Sequence, residues 1–505
     1  MNSFPFRAAL FAGTALIAAA VSGCAVGPDF HRPVPPPVEG YTPEKLQATT
    51  AAADDPFGPA QHFVVGKDIA GEWWRALHSP QLDALVAQAL KANPTLVAAQ
   101  AALRQAQENV YAQRGQYFPD ITAGLSASRN LTATGAVSAA SASGSPYYGL
   151  ITPQLNVSFV PDVFGANFRQ VESLEAQAEN QRYQLEATYL TLTSNVVSAA
   201  VQEASLRGQI SANQEIVKEE TDLLGILRRQ FALGQVAGSD VAAQEAALAQ
   251  AQQALPPLQK QLAQQRDLLT ALAGRFPSQE VAEHFDLAGL QLPLDLPVSL
   301  PARLIDQRPD VRAAEASLHS ASADIGVAVA ARLPQITLTG NIGNSANIAS
   351  DLFKPGTNFW TISGGLAAPI FDFGTLLHKQ RAAQAAFDQA AAQYQSTVLT
   401  AFQNVADSLR ALQSDADALT AAVASERAAD RSLSITRRQL ELGQVAYLSL
   451  LNAETTYQQA RLALVMAEAN RLSDTAALFQ ALGGGWWNRS DVESASTVTG
   501  AGPAR

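Results

Sequence analysis

The feature that most limits what this chain can fold into is that it repeats itself. Asn93-Pro94-Thr95-Leu96-Val97-Ala98-Ala99 echoes Arg308-Pro309-Asp310-Val311-Arg312-Ala313-Ala314, 215 residues later. Phe118-Pro119-Asp120-Ile121-Thr122 echoes Leu333-Pro334-Gln335-Ile336-Thr337 at the same offset. Further on the offset falls to 209: Phe164-Gly165 matches Phe373-Gly374, and Arg229-Gln230-Phe231-Ala232-Leu233-Gly234-Gln235-Val236-Ala237 matches Arg438-Gln439-Leu440-Glu441-Leu442-Gly443-Gln444-Val445-Ala446. The six-residue change falls between Pro119 and Phe164, where a loop belongs. Two similar units, 72–274 and 298–483, therefore lie in tandem, joined by 275–297. A duplicated chain builds one supersecondary unit twice.

Each unit has the same order. A helix comes first, with Leu82, Leu85, Val86, Ala89 and Leu90 on one face. Two alternating stretches follow. Ile121, Ala123, Leu125 and Ala127 alternate with polar or small residues, as do Leu155, Val157 and Phe159. Ile336, Leu338 and Ile342, then Trp360, Ile362, Leu366 and Ile370, do the same in the second unit. Period two predicts strands with one apolar and one polar face, at about 118–131, 148–161, 334–345 and 358–371. Their length suits tilted membrane strands, although an ordinary soluble hairpin carries the same pattern. Residues 132–146, rich in Ala, Ser and Gly, read as an exposed hairpin tip. Tyr147, Tyr148, Phe359 and Trp360 at strand ends fit an aromatic belt or a plain hydrophobic cluster.

Long helical hairpins come next, over 166–273 and 375–482. From Leu185 to Phe231, fourteen positions follow 4,3 spacing and eleven are apolar; Glu203, Asn213 and Glu220 are the polar ones. That is a sustained heptad. The stretch from Ala166 to Phe231 spans about 100 Å at helical rise, far more than a globular core needs. Gly234 and Gly443 suit the left-handed position after a helix end. Ser239 is the expected N-cap of the first return helix, and Pro256-Pro257 is expected to kink or split it. Residues 484–505, small and polar apart from Trp486-Trp487, read as a flexible tail, and Trp73-Trp74 as packing at the first helix.

The first 23 residues read as an address. Arg7 precedes an apolar run, Ala8 to Val21, too short to span a bilayer comfortably. It ends in Val21-Ser22-Gly23-Cys24, which resembles a bacterial lipobox and holds the only Cys of the chain. Cleavage before Cys24 and lipidation there are expected, several acyl chains together giving a stable anchor. Ala25 in place of Asp favours the outer membrane, by the same resemblance. Residues 24–71, with Pro33, Pro35, Pro36 and Pro37, form an extended strap.

Composition narrows function by exclusion. With 47% hydrophobic and 16% charged residues the chain is not disordered, and a net charge of −11 without a basic block argues against nucleic acid. One Cys rules out a disulfide framework. The six His show no paired spacing, and there is neither a phosphate loop nor a nucleophile elbow. No cofactor and no enzymatic activity are expected. If the strands lie in lipid, four of them cannot close a barrel, and an open edge leaves backbone groups unpaired. The chain must then oligomerise; two copies supply eight strands and three supply twelve, and only a larger barrel leaves a lumen.

At this point a resemblance becomes specific. It rests on Gly23-Cys24-Ala25-Val26-Gly27-Pro28-Asp29-Phe30 with Arg32-Pro33, Trp73-Trp74, Leu82-Asp83-Ala84-Leu85-Val86, Asn93-Pro94, Pro161-Asp162-Val163-Phe164-Gly165, Leu300-Pro301, Arg308-Pro309-Asp310-Val311, Pro369-Ile370-Phe371-Asp372-Phe373-Gly374 and Tyr447-Leu448-Ser449-Leu450-Leu451-Asn452-Ala453. In this order they resemble the NodT-type outer-membrane efflux lipoproteins, a TolC-like family. Departures occur at Phe159-Val160-Pro161, where many relatives have a Trp-Glu pair, and at Phe373 and Thr375, where they often carry Gly and Arg.

The resemblance implies a mainly α protein with membrane β: a homotrimer with a twelve-stranded barrel in the outer membrane of a Gram-negative bacterium and a long periplasmic α-barrel. It implies the exit duct of a tripartite efflux system, with a periplasmic adaptor and an inner-membrane RND-type pump as partners, passing small molecules such as drugs or toxic compounds. Arg228, Arg229, Asp240, Arg437, Arg438 and Tyr447, with Gly234 and Gly443, are the candidate gate or adaptor contact. A plainer role for the arginines is to complement a helix dipole. Asp162, Gly165, Asp372 and Gly374 are expected to brace the strand-to-helix junctions, the carboxylates as caps. A polypeptide-secretion duct of the same fold and a pore-free coiled-coil scaffold are the alternatives.

Overall fold

A computed structural model describes residues 25–131 and 147–489. The signal segment, Cys24, the loop 132–146 and residues 490–505 lie outside the described residues. In chain order the elements are β1 (His62–Val65), α1 (Pro80–Ala92), α2 (Pro94–Arg114), β2 (Asp120–Leu131), β3 (Tyr147–Phe159), α3 (Ala166–Ala232), α4 (Gly238–Leu272), β4 (Asp295–Val298), α5 (Pro301–Gln307), α6 (Pro309–Ala330), β5 (Gln335–Asn344), β6 (Asn358–Ala367), α7 (Thr375–Glu441) and α8 (Tyr447–Ala481). The duplication is visible in helix lengths: α3 and α7 each have 67 residues, α4 and α8 each 35. The chain divides into two compact units. One comprises the residues up to Arg32, Leu103–Gln181 and Ala314–Tyr394; the other comprises Pro33–Ala102, Arg182–Ala313 and the remainder from Gln395.

The first unit carries one antiparallel sheet, in the order β2-β3-β5-β6. Each hairpin pairs with itself, and β3 joins β5 from Gln154 opposite Gly343 to Phe159 opposite Leu338. A soluble hairpin buries one face. Here residues on both faces of β2 and β6 are exposed, Leu125, Ile362 and Leu366 among them. Among the described residues nothing buries either face of these strands, which argues against the soluble-hairpin reading. Strands β3 and β6 stop at Phe159 and Ala367, short of the predicted 161 and 371, because Pro161 and Pro369 cannot donate to a ladder.

The residues just after Cys24 are held in this unit. The Val26 N–H donates to the Phe164 carbonyl at 3.2 Å, and buried Arg169 reaches the Val26 carbonyl, Asp29 and Glu172 at 3.1, 2.8 and 2.8 Å. Phe30 stacks on His319, and Gly27 lies so close to Gly326 that a Cβ would meet its Cα at 2.4 Å.

The second unit holds the apolar faces of α1 and of the helix seams. Leu82, Leu85, Val86 and Ala89 are buried, as are Trp73 and Trp74. β1 pairs in parallel with β4. Two buried arginines rivet irregular chain onto the return helices. Arg471 of α8 donates to the carbonyls of Phe57 and Pro59 and to Thr50 Oγ1 at 2.7, 2.8 and 3.0 Å, so the strap is fixed there. Arg266 of α4 donates to the carbonyls of Val281 and Glu283 at 2.8 and 3.1 Å, and to Glu203, which holds the inter-repeat segment.

Three expectations need correction. Pro256-Pro257 lies inside one continuous helix and so does not split it. Residues 252–254, 256 and 257 are exposed, a position where water can reach the carbonyls that lose their partners. Ser239 is not the N-cap; Ala237 is, and the Asp240 carboxylate accepts its N–H at 3.3 Å. The tail does not begin at 484. Trp486 is buried and its indole donates to the Gln307 carbonyl at 2.7 Å, while Arg489 pairs with Glu186 at 2.8 Å and lies 3.7 Å from the Tyr189 ring.

Replacing Arg471 with Ala leaves the buried Phe57 carbonyl without its donor, at a cost of about 1–3 kcal/mol before relaxation, and removes the ties to Pro59 and Thr50. The Arg471→Ala chain should be cleaved by protease in the strap around residues 50–61 under conditions where the parent resists. Equal resistance would show that the rivet does not hold the strap.

Candidate functional site

The two long hairpins turn in the same way. After α3, the Gly234 N–H donates to the Phe231 carbonyl and the Gln235 N–H to the Gln230 carbonyl, both at 2.9 Å. After α7, Gly443 donates to Leu440 and Gln444 to Gln439, again at 2.9 Å. This is the Schellman pattern, which satisfies the last carbonyls of a helix and needs a left-handed residue. Gly234 and Gly443 supply it, with φ of 72° and 68°. No atom lies within 4 Å of a Cβ built at either, so conformation rather than crowding demands glycine.

Around the turns the structure sorts the predicted residues. Arg228 pairs with Glu245 at 2.7 Å, joining α3 to α4. Arg437 reaches Glu454 at 3.4 Å and Glu219 at 3.6 Å, joining α7 to α8 and α3. Offset by 209, these are one ion pair made twice. Arg229 is exposed and has no side-chain partner among the described residues. Arg438 makes only the surface pair with Glu441, at 2.8 Å. Asp240 joins no arginine; its bond to Ala237 stays within its own turn. Leu233, Leu442 and Leu448 are exposed beside these cations.

Tyr447 packs among Leu227, Leu433 and Leu450. Its hydroxyl donates to Gln244 Oε1, and Gln244 Nε2 donates to both the carbonyl and the carboxylate of Glu220. Gln458 Nε2 donates to the other Glu220 oxygen at 2.7 Å. Gln244, Glu220 and Glu454 are buried. Sequence reading missed Gln244, Glu454 and Gln458, and saw Glu220 only as an interruption of the heptad. That interruption was the available signal, since a polar residue in an apolar seam must find a partner there.

Burial pushes the Glu454 carboxyl up to about 7; nearby Glu220 adds to the rise and Arg437 opposes it. The protonated form is therefore the one favoured by folding. The stability it contributes is complete below the ordinary glutamate range and is lost as pH rises through about 7.

At the strand-to-helix junctions both aspartates cap. Asp162 accepts from the N–H groups of Asn167 and Phe168 at 3.0 and 2.7 Å. Asp372 accepts from Leu376 and Gly374 at 2.7 and 2.9 Å, and these bonds hold its carboxyl below the usual range. Gly165 and Gly374 both have positive φ. Among the described residues no group of His, Cys, Asp and Glu can hold a metal ion.

A family model described as outer membrane efflux protein matches residues 85–275 and 300–484, one match in each repeat. The pyoverdine export outer membrane protein OpmQ of Pseudomonas aeruginosa is 29% identical over 457 residues, covering 88% of this chain and 94% of that protein. The probable efflux pump outer membrane protein TtgC of Pseudomonas putida is 28% identical over 488 residues, 94% and 96% of the two chains. Among solved structures, the outer-membrane channel OprN superposes with a TM-score of 0.81 at 26% identity, covering 92% of this chain and all of that one.

The pH dependence has a direct check. Amide exchange at residues 440–450 should be slower at pH 5.5 than at pH 8, after correction for intrinsic rates, and Glu454→Gln should abolish the difference. A parent chain whose corrected exchange ignores pH would remove Glu454 as a proton-sensitive tie.

Proposed function

The chain belongs to the outer membrane efflux protein family, and from that premise we propose that it works as a homotrimeric, passive exit duct for small molecules. That it is an outer-membrane efflux channel follows from family and fold together. The observation that carries the trimeric reading is the sheet. Its outer strands β2 and β6 have open edges and exposed faces, a state that lipid forbids unless other copies close the ring. Three copies supply twelve strands, enough for an open lumen lined by the polar column of Thr, Ser and Asn.

In this reading Cys24 carries the lipid and the strap leads from it to the body. The hairpin turns are the periplasmic end. Exposed Leu233 and Leu442 beside Arg229 and Arg438 offer an apolar and cationic surface, presented twice per chain, for an adaptor. An inner-membrane pump would supply the energy and choose the cargo. Relatives are named for pyoverdine export and for efflux of toluene or antibiotics; small organic compounds are the corresponding proposal here. The interhelix ties of Arg437 and the Tyr447–Gln244–Glu220 chain would hold the resting end closed.

Planar-bilayer conductance of the mature, detergent-extracted protein tests the duct, with native mass spectrometry on the same sample. A three-chain mass with discrete conductance steps is expected, and a non-conducting single chain would sink the reading. Arg437→Glu sets an acid against Glu219 and Glu454 and should raise conductance. Unchanged steps would leave Arg437 a structural tie with no part in gating.

A further inference from the structure

The duplication builds the same strand-to-helix junction twice, and only one of the two is filled. Strands β3 and β6 run in the same direction with β5 between them, so both leave the sheet at the same end. Each then passes through a Phe-Gly pair into a long helix, Phe164-Gly165 into α3 and Phe373-Gly374 into α7. At the first junction the N-terminal segment is seated. A Cβ on Gly165 would meet the Ala25 Cα at 2.7 Å, the Phe164 carbonyl accepts from the Val26 N–H, and Arg169, itself paired with Glu172, holds Asp29. At the second junction no described residue takes that place. Within 4 Å, a Cβ on Gly374 would meet only the ring of His378.

The offset of 209 carries Arg169, Gln170 and Glu172 to His378, Lys379 and Arg381. A balanced pair that grips a peptide carboxylate is thus replaced by an imidazole and two cations. All three side chains are exposed, and none makes a hydrogen bond or ion pair among the described residues. Arg332 reaches Gln380 and adds a further cation. Asp372 is engaged by the N–H groups of Gly374 and Leu376, so an outside anion would have to be held by side chains. Beside the cations Ile370, Phe371 and Phe373 are exposed, Phe373 to 88%. Phe373 stands at a φ of 53°, costly for a bulky side chain, with the Phe371 ring centroid 4.6 Å from its own. Strain that keeps an aromatic ring in the open has to be offset by whatever the ring touches.

The level of the junction points to the occupant. Cys24 stands one Cα step, about 3.8 Å, before Ala25. On the reading that Cys24 is lipidated, its acyl chains enter the membrane beside Gly165, and the first junction lies at the headgroups of that leaflet. The second junction, at the same end of the same sheet, lies level with it.

We propose that the second junction binds an anionic phospholipid of that leaflet. Arg332, Lys379 and Arg381 take its phosphate, for which guanidinium forks are well matched. Phe371 and Phe373 lie against the first carbons of its acyl chains, the depth that aromatic rings favour. The level rests on the lipidation reading; the chemistry of the site rests on the second repeat alone.

Native mass spectrometry of the full, processed protein tests this, with phosphatidylglycerol or phosphatidylethanolamine added to the detergent and the intact mass of each chain read in parallel. The parent should retain phosphatidylglycerol, up to one per chain, several-fold more than phosphatidylethanolamine. Lys379→Glu with Arg381→Glu should cut that retention several-fold, whereas Lys91→Glu with Lys260→Glu, two exposed lysines elsewhere, should not. If the first double variant fails to assemble in the same spectrum, Lys379→Gln with Arg381→Gln carries the comparison. Phe373→Gly relieves the backbone and should still retain less lipid; undiminished retention removes the rings from the site. Equal retention of the two lipids, or a double variant no different from its control, overturns the proposal while an acylated Cys24 mass leaves the lipidation reading standing. Displacement of the lipid by inorganic phosphate also overturns it, since the site would then recognise phosphate and not a lipid. A parent mass without acyl groups overturns the lipidation reading and the level drawn from it.

Discussion

A strand edge in hydrocarbon is a row of hydrogen-bonding groups with nothing to bond to, and most of this molecule follows from that. Each unsatisfied backbone group costs several kcal/mol where water is absent. Strands β2 and β6 each present such a row. In the proposed trimer, copies of the chain would cancel the cost by joining edge to edge, and the ring would enclose a passage as a by-product. Export capacity and backbone satisfaction are thus one requirement met once. The exposure of both strand faces fits this proposal, in which lipid would take one face and a wet lumen the other.

Much of the fold was legible because two strong periodicities write it. Period-two runs located the four membrane strands, and the heptad located the C-terminal ends of α3 and α7 to within a residue, while the strand-to-helix junctions marked their starts. The Gly234 and Gly443 turns were legible because only glycine adopts that backbone without strain. The failures have physical causes. Proline inside α4 was tolerated since its orphaned carbonyls face solvent. Trp486-Trp487 followed small residues and looked like tail, yet the indoles find acceptors contributed from elsewhere in the chain, the Gln307 carbonyl and Asp68. A pattern along the sequence does not report such a partner.

The candidate site divides along the same line. Glycines and arginines at the turns stood out because they recur at a fixed offset. Gln244 and Gln458 did not recur; their counterparts are Ala453 and Ala249, so the repeat gave no alert, and Glu454 was missed although Glu245 repeats it. Glu203, Asn213 and Glu220 did interrupt the apolar seam, and all three are buried. Reading each interruption as a demand for a partner, rather than as noise in a heptad, would have led to Arg266 and to the Tyr447 chain. The strap was readable as extended from its prolines; that Arg471 pins it was not, because the acceptors are mostly backbone carbonyls and carry no side-chain signature.

The asymmetry of that hydrogen-bonded chain bears on ancestry. At the 209-residue offset Tyr447 corresponds to Gly238, Gln244 to Ala453 and Glu220 to Ala429. Each half supplies one share of the interaction and has Ala or Gly at the positions of the other's share. An ancestor of one repeat could have assembled six-fold with every unit alike. The present halves no longer can: six first halves would bury Glu220 and Gln244 with no phenol, and six second halves would bury Tyr447 with no amide. At this point the two halves complement each other, and neither could stand in for the other.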